Sequence, residues 1–190
     1  MIDSVRSLFR HPGLRRTIVA LRVPLVIVVV LALLPLARRE WLLPGFALSM
    51  VGEAIQLWCF AALEKNDTLT ARGPYTMVRN PMYLGRFFIV AGFLLLLGQP
   101  WLLAVFAVGY WLYMESRVGR EERLLAGIFG AAYADYCARV RRFIPGAPLP
   151  GAPVLYWNWD LFRRNSGPKN LLLTLAAWVV AAGWVIWRGQ

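Results

Sequence analysis

Residues 41–63 read Trp-Leu-Leu-Pro-Gly-Phe-Ala-Leu-Ser-Met-Val-Gly-Glu-Ala-Ile-Gln-Leu-Trp-Cys-Phe-Ala-Ala-Leu, with Glu53 the only formal charge in the run. A bilayer's hydrocarbon core is crossed by roughly 20 consecutive apolar residues in helical form, because intrahelical pairing satisfies the backbone where water is absent. The stretch therefore predicts a transmembrane helix. Moving outward, apolar runs of the same kind occupy 17–37 on one side and 82–98, 101–113 and 171–187 on the other. The third and fourth runs are short and separated only by Gly98, Gln99 and Pro100, which predicts a tight helical hairpin. The fourth is expected to continue into water beyond Tyr113. The pattern as a whole predicts an all-α integral membrane protein of about five transmembrane helices.

Composition agrees with a bilayer as solvent. Of 190 residues, 59% are hydrophobic, well above the apolar share of soluble domains. A formal net charge of +11 raises the question of nucleic acid, but the Arg residues fall between apolar segments instead of forming one face, and no recognition motif accompanies them. No nucleic-acid partner is expected; membrane lipids are.

The charges instead report orientation. Arg6, Arg10, Arg15 and Arg16 precede the first run; Lys65, Arg72, Arg79 and Arg86 follow the second; Arg117 to Lys169 hold most of the remainder. The other side keeps only Arg38, Arg39 and Arg188. The positive-inside rule then puts the N-terminus and the two basic loops in the cytoplasm and the C-terminus opposite. Trp41, Trp101 and Trp187 stand at run ends, where the indole finds an apolar bed and a wet partner for its N–H, and Trp157 and Trp159 are expected on the cytoplasmic membrane surface. The basic start imitates a secretory signal, but the run after it is too long and lacks a small-residue cleavage site, so it reads as a retained helix. Cys59 and Cys137 show no CxxC or metal-ligand spacing, and His11 is the only histidine, so neither a disulfide framework nor a metal site is expected.

The one substantial polar region runs from Glu115 to about Asn170. Leu124, Leu125, Ile128 and Phe129 recur at helical spacing and predict an amphipathic helix over 120–139. Pro145, Pro148, Pro150 and Pro153 then break regular structure. Within the spans, Glu53 and Glu115 are costly in lipid and are expected in buried structural pairs, with Arg22 a candidate partner.

Two cytoplasmic segments carry groups fit for chemistry. The first is Gly73-Pro74-Tyr75-Thr76-Met77-Val78-Arg79-Asn80-Pro81-Met82-Tyr83-Leu84-Gly85, a turn-rich loop entering a helix at Pro81, where the missing N–H has no intrahelical partner to lose. The free amides there and the Arg79 fork suit an anion such as a carboxylate. The second is Arg120-Glu121-Glu122-Arg123-Leu124-Leu125, followed by Phe129-Gly130, Tyr133, Tyr136 and Arg141-Arg142-Phe143-Ile144-Pro145. Adjacent helical carboxylates point about 100° apart, so one of Glu121 and Glu122 is expected to face the site and the other an Arg. Tyr133 and Tyr136, three apart, share a face and offer flat surfaces for a purine ring. Singly, each segment is as well explained by a structural turn or a solvated salt-bridge face.

In this order, Gly-Pro-Tyr, Val-Arg-Asn-Pro-Met-Tyr-Leu-Gly, Arg-Glu-Glu-Arg-Leu-Leu, Phe-Gly, Tyr-Ala-Asp-Tyr and Arg-Phe-Ile-Pro resemble the isoprenylcysteine carboxyl methyltransferase and phospholipid methyltransferase superfamily over roughly residues 73–145. The resemblance implies S-adenosylmethionine as cofactor, bound between the loop at 79–85 and the Glu121–Glu122 helix, with a tunnel opening sideways to lipid. It implies Tyr75, Val78, Arg79, Asn80, Tyr83, Leu84, Gly85, Glu121, Glu122, Tyr133, Tyr136 and Phe143 as cofactor-binding positions, and Arg79, Glu122 and Arg142 nearest the transferred methyl. It also implies a division into an N-terminal two-helix membrane region (1–72), a cofactor-binding core with a helical hairpin (73–145), and a Pro-rich linker with a final transmembrane helix (146–190).

One position departs from the superfamily's pattern, which usually has His where this chain has Asn80. Asn donates and accepts hydrogen bonds but carries no proton between pH 5 and 8. Methyl transfer from a sulfonium asks mainly for alignment and a dry cavity. The acceptor expected is a lipophilic small molecule or lipid offering a carboxylate, amine, phenol or thiol; Arg79 or Arg142 would orient an anion, and Glu122 would take a proton from an amine. The competing readings are an NADPH-dependent membrane reductase resembling sterol reductases, and a transporter or scaffold, for which no inverted repeat speaks.

Overall fold

The computed structural model describes residues 28–29, 32–64 and 68–189. The chain divides after Ala37 into two units. In the first, Leu34–Leu36 form a single 3₁₀ turn. Most of the expected first span, with Arg22 and His11, lies outside the described residues, as does Lys65. The second unit holds six α-helices among the described residues: α1 (Leu42–Ala62), α2 (Pro81–Leu95), α3 (Pro100–Phe129), α4 (Ala131–Arg139), α5 (Trp159–Arg164) and α6 (Gly167–Trp187). Among the described residues there is no strand, only one isolated parallel bridge between Val78 and Arg141.

Two helices are long and apolar enough to cross a membrane: Arg39–Ala62, which is α1 with the 3₁₀ turn leading into it, and α6; α2 is apolar but shorter. The α2–α3 hairpin turns tightly at Gly98, as the Gly-Gln-Pro spacing leads one to expect. The expected separate amphipathic helix over 120–139 is divided differently. α3 runs unbroken from its apolar half through Phe129, spanning about 45 Å at 1.5 Å per residue. Gly130, at φ 52°, then breaks the helix in a conformation that a side chain would resist, and α4 starts afresh.

The closest helix pair is α1 with α2, and its surface is made of small residues. A Cβ added to Gly52 would lie 2.5 Å from the Gly85 carbonyl oxygen and 2.6 Å from the Ile89 amide nitrogen. One added to Gly45 would lie 2.6 Å from the Gly92 carbonyl oxygen, and one on Gly92 would overlap Ser49 Oγ and the Gly45 carbonyl. Absent side chains let the backbones touch, which is how helices associate when lipid offers no hydrophobic incentive to do so. Ser49 Oγ donates to the Ile89 carbonyl at 2.8 Å, adding a bond across the same contact.

Glu53, 1% exposed in the middle of α1, is held by Asn170 Nδ2 at 2.8 and 3.0 Å and by Thr174 Oγ1 at 2.8 Å, both on α6. Among the described residues its partners are neutral donors; the candidate cation, Arg22, lies outside them. Three donated hydrogen bonds do for this carboxyl group what water does outside the membrane.

The C-terminal end of α1 shows why the remote tail belongs to the core. A helix leaves its last four carbonyls without intrahelical partners. Here Cys59 O accepts from the Leu63 amide, Ala61 O from the Asn158 amide at 3.1 Å, Ala62 O from Arg72 Nε at 3.1 Å, and Phe60 O from Asn165 Nδ2 at 2.9 Å. The same Asn165 amide reaches Leu63 O at 2.8 Å. Asn165→Ala leaves two carbonyls unmatched and is expected to cost about 1–3 kcal/mol, measurable as a lowered unfolding temperature in detergent, while Asn158 and Arg72 keep their own bonds.

The Pro-rich stretch from residue 146 onward, expected as a linker, lies along the 73–79 loop. The Gly146 amide donates to Met77 O at 2.9 Å, the Leu149 amide to Thr76 O at 2.9 Å, and the Gly73 amide to Pro153 O at 2.8 Å. The intervening prolines donate nothing, so the few amides present carry the pairing.

Candidate active site

The loop before α2 is fixed from three sides. Gly73–Thr76 forms a buried 3₁₀ turn with Pro74 in its first positions, closed by Thr76 Oγ1 donating to Gly73 O at 2.8 Å. Val78 pairs with Arg141, and the Arg79 amide donates to Arg141 O at 2.8 Å. Tyr136 Oη, from α4, donates to Tyr75 O at 2.7 Å. Arg79 and Asn80 are thereby held at the entrance to α2, whose first residue is Pro81.

Around them runs a chain of alternating charges. Arg79 Nη1 lies 3.4 Å from Glu122 Oε1. Arg142 Nε donates to Glu122 Oε2 at 2.9 Å, and its Nη1 to Glu115 Oε2 at 2.7 Å. Asn80 Nδ2 donates to Arg142 O at 3.2 Å, with Glu122 Oε1 at 3.5 Å. The four charged groups cancel, and each is partly withdrawn from water, so their mutual attraction is less screened than at an open surface. One donor is left over: Arg79 Nε is buried without a hydrogen-bond partner among the described residues. A buried unpaired guanidinium N–H is costly, and it marks a place for an anionic or polar acceptor group.

Two cavities share Asn80 in their walls. The more polar one, of about 150 Å³, is lined by Arg79, Asn80, Tyr75, Tyr133, Tyr136, Leu125 and Phe129 together with Leu63, Glu64, Thr68, Leu69 and Thr70. An almost wholly apolar one of about 210 Å³ lies between α2 and α3, lined by Asn80, Tyr83, Leu84, Phe87, Ala107, Tyr110, Trp111, Met114, Phe143 and Ile144. Burial pushes the Tyr133 and Tyr136 hydroxyls above the ordinary phenol range, with the Glu122 charge adding to the effect at Tyr133. Both are neutral rings at physiological pH. Arg72, donating at 2.7 Å, with Thr68 beside it, holds the Glu64 carboxyl below its usual range, so the polar cavity keeps one anionic wall.

Of the residues singled out in the sequence, Tyr75, Arg79, Asn80, Tyr133 and Tyr136 line the polar cavity, and Asn80, Tyr83, Leu84 and Phe143 the apolar one. Glu122 and Arg142 line neither; they stand behind Arg79 and Asn80 and hold them. Glu121 turns away, accepting from Tyr83 Oη at 2.9 Å and from Arg117 Nε at 3.0 Å; both carboxylates thus face Arg side chains, where one was expected to face the site. Val78 is buried in the bridge to Arg141. Gly85 faces α1, where a Cβ would meet Gln56 Cγ at 2.8 Å and Gly52 O at 2.9 Å, so its position serves helix packing. The wall at Leu63, Glu64 and 68–70 and the α3 residues Tyr110, Trp111 and Met114 escaped the sequence reading. Only the last group left a signal, an aromatic stripe at helical spacing, which is also what any packed helix shows. Among the described residues no group of three His, Cys, Asp or Glu side chains is placed to hold a metal.

The family model described as phospholipid methyltransferase matches residues 42–132. Protein-S-isoprenylcysteine O-methyltransferases are 35% identical over 82 residues in Saccharomyces cerevisiae (43% of this chain, 34% of that protein) and 36% identical over 84 residues in Mus musculus (43% and 30%). Over these stretches the chain is similar to the isoprenylcysteine carboxyl methyltransferase and phospholipid methyltransferase superfamily. The cobalt-zinc-cadmium resistance protein CzcN of Cupriavidus metallidurans matches over a longer stretch, 29% identical over 135 residues, or 70% of this chain and 61% of that protein. The chain spans less than two thirds of the length of each of these relatives. The family match takes in α1, α2 and α3 and ends just before Tyr133, so Tyr133, Tyr136, Arg142 and Phe143 lie beyond it.

Proposed function

We propose that this chain is an integral membrane methyltransferase that uses S-adenosylmethionine to methylate a lipophilic acceptor dissolved in the bilayer. The observation that carries the reading is that Asn80 stands in the walls of both the more polar cavity and the apolar one. A polar donor in the first and a greasy acceptor in the second would face each other across that residue. In the same reading the chain has five spans, with α2 and the first half of α3 as a hairpin, and the N-terminus and active-site loops are cytoplasmic.

The residues present suit the cofactor. Arg79 Nε is an unspent donor for a carboxylate, Tyr133 and Tyr136 present buried ring faces for the purine, and Glu64 supplies a negative wall. When bound, S-adenosylmethionine supplies a methyl carbon that accepts the acceptor's electron pair as its bond to sulfur breaks, leaving S-adenosylhomocysteine. Arg79 and Asn80 set the geometry between donor and acceptor. Glu122, whose two oxygens each face a guanidinium group, fixes Arg79 and Arg142. Phe87, Tyr110, Trp111 and Phe143 exclude water from the acceptor's side, which favours a reaction in which opposite charges vanish.

An acceptor that arrives already ionised, a carboxylate or thiolate on an apolar tail, fits best, because among the described residues no Asp, Glu or His lines the apolar cavity to take a proton. The test is transfer of a radiolabelled methyl group into a lipid extract by the purified chain, with calorimetry against S-adenosylmethionine and NADPH. Binding of the first and labelling of an organic-soluble product are expected. Binding of NADPH alone, with no label transferred, would replace the reading by a reductase.

A further inference from the structure

Between the Pro-rich stretch and α6 the chain exposes large apolar side chains beside basic ones. Leu155 is 95% exposed, Trp159 62% and Trp157 43%. Arg163, Arg164 and Lys169 follow within one short helix and the first turn of the next, all exposed, and none forms an ion pair among the described residues. The two indoles are ordered: Trp157 and Trp159 stand with ring centroids 5.2 Å apart, and both pack against Phe162, at 5.1 and 5.6 Å. Phe162 is buried against Phe60 and Ala61 at the end of α1. This is a built surface.

We propose that residues 155–169 bind the head groups of anionic phospholipids in the bilayer. The partner follows from continuity and charge. α6 is an apolar helix long enough to cross the membrane and begins at Gly167, so, on the membrane placement given above, the residues just before it lie at the lipid–water boundary. Indoles prefer that depth, and basic side chains beside them attract a negatively charged lipid surface.

The same segment holds the wall of the polar cavity. Tyr156, next to Trp157, lies under the Arg72 guanidinium at 4.5 Å, and Arg72 in turn holds Glu64 at 2.7 Å. Asn158 and Asn165 bond Ala61, Phe60 and Leu63. An anionic lipid seated here braces the wall formed by Leu63 and Glu64.

The inference rests on the membrane placement of α6 and not on methyl transfer, and its test needs no catalysis. The full chain, purified in detergent, is offered phosphatidylglycerol or phosphatidylcholine and the retained lipid is counted by native mass spectrometry. The wild type is expected to retain phosphatidylglycerol in clear preference. Neutralising Arg163, Arg164 and Lys169 one by one to Gln should reduce that preference by about fivefold each, and Trp157→Ala with Trp159→Ala should weaken it while unfolding temperature stays within a few degrees. Arg120→Gln with Arg123→Gln, basic and exposed elsewhere, should leave it unchanged. Equal retention of the two lipids by the wild type, or an unaltered preference in the triple Gln variant, overturns the proposal.

Discussion

Glu122→Gln is expected to lower kcat/KM by about a hundredfold, equivalent to roughly 2.7 kcal/mol of lost transition-state stabilisation. The substitution keeps the shape of the side chain and removes its charge. Arg79 and Arg142, each now bonded to a Glu122 oxygen at 3.4 and 2.9 Å, are left as like charges across a half-buried gap. Removing one member of such a pair strands the others, which is the expensive way to break it. Arg142 retains Glu115 at 2.7 Å; Arg79 loses the ion pair it makes among the described residues, and it is the member that lines the polar cavity. Cofactor affinity should therefore weaken by at least about tenfold, and unfolding temperature should fall with it, because a stranded half-buried charge also destabilises the fold. Glu121→Gln serves as the internal comparison. Its partners are the exposed Arg117 and the Tyr83 hydroxyl, and an exposed pair is worth at most about 1 kcal/mol. Titration calorimetry and initial rates on both variants separate the two carboxylates; equal losses would contradict the assignment.

The largest effect on folding is expected at Gly92. A side chain there enters Ser49 Oγ and the Gly45 carbonyl, and the Ser49 amide nitrogen lies at 2.8 Å. Two of these three atoms are backbone and cannot step aside. Gly92→Leu should separate α1 from α2 and cost at least about 3 kcal/mol, at or beyond the usual range for overpacking. Loss of a monodisperse, thermally cooperative species in detergent is the readout. Gly183→Leu, on α6, meets nothing within 4 Å and should be neutral. Because α2 carries Tyr83 and Leu84 into the apolar cavity, separating the pair also dismantles the site.

How much of this was legible in the sequence depends on the range over which each feature is encoded. The loop from Gly73 to Pro81 is local: turn residues, a proline at a helix start and an Arg beside it stand together in the chain and survive folding as a unit. That Glu121 and Glu122 point to different partners follows from helix geometry; that both partners include Arg does not. The break at Gly130 was hidden because a glycine inside an apolar periodicity is tolerated as often as it terminates a helix, and only its positive φ decides. The partners of Glu53 were illegible. Asn170 and Thr174 are 117 and 121 residues away, and nothing local distinguishes a carboxyl group awaiting neutral donors from one awaiting a cation. The wall at Leu63 to Thr70 has the same difficulty, since its residues are ordinary and acquire a role only when α4 folds over them. The Pro-rich stretch reads as a linker because prolines forbid helix and sheet, yet three amide bonds at its ends suffice to bind it to the 73–79 loop.

On the proposed function, the polar cavity beside Arg79 holds the methyl donor, and Asn80 stands between it and the acceptor's apolar pocket. The decisive experiment is a structure of the full chain with S-adenosylhomocysteine bound. The purine should lie against Tyr133 or Tyr136, the carboxylate should meet Arg79 Nε, and the sulfur should face Asn80 and the space bounded by Phe87 and Tyr110. A product bound elsewhere, or bound with its sulfur closed off from that space, would contradict it.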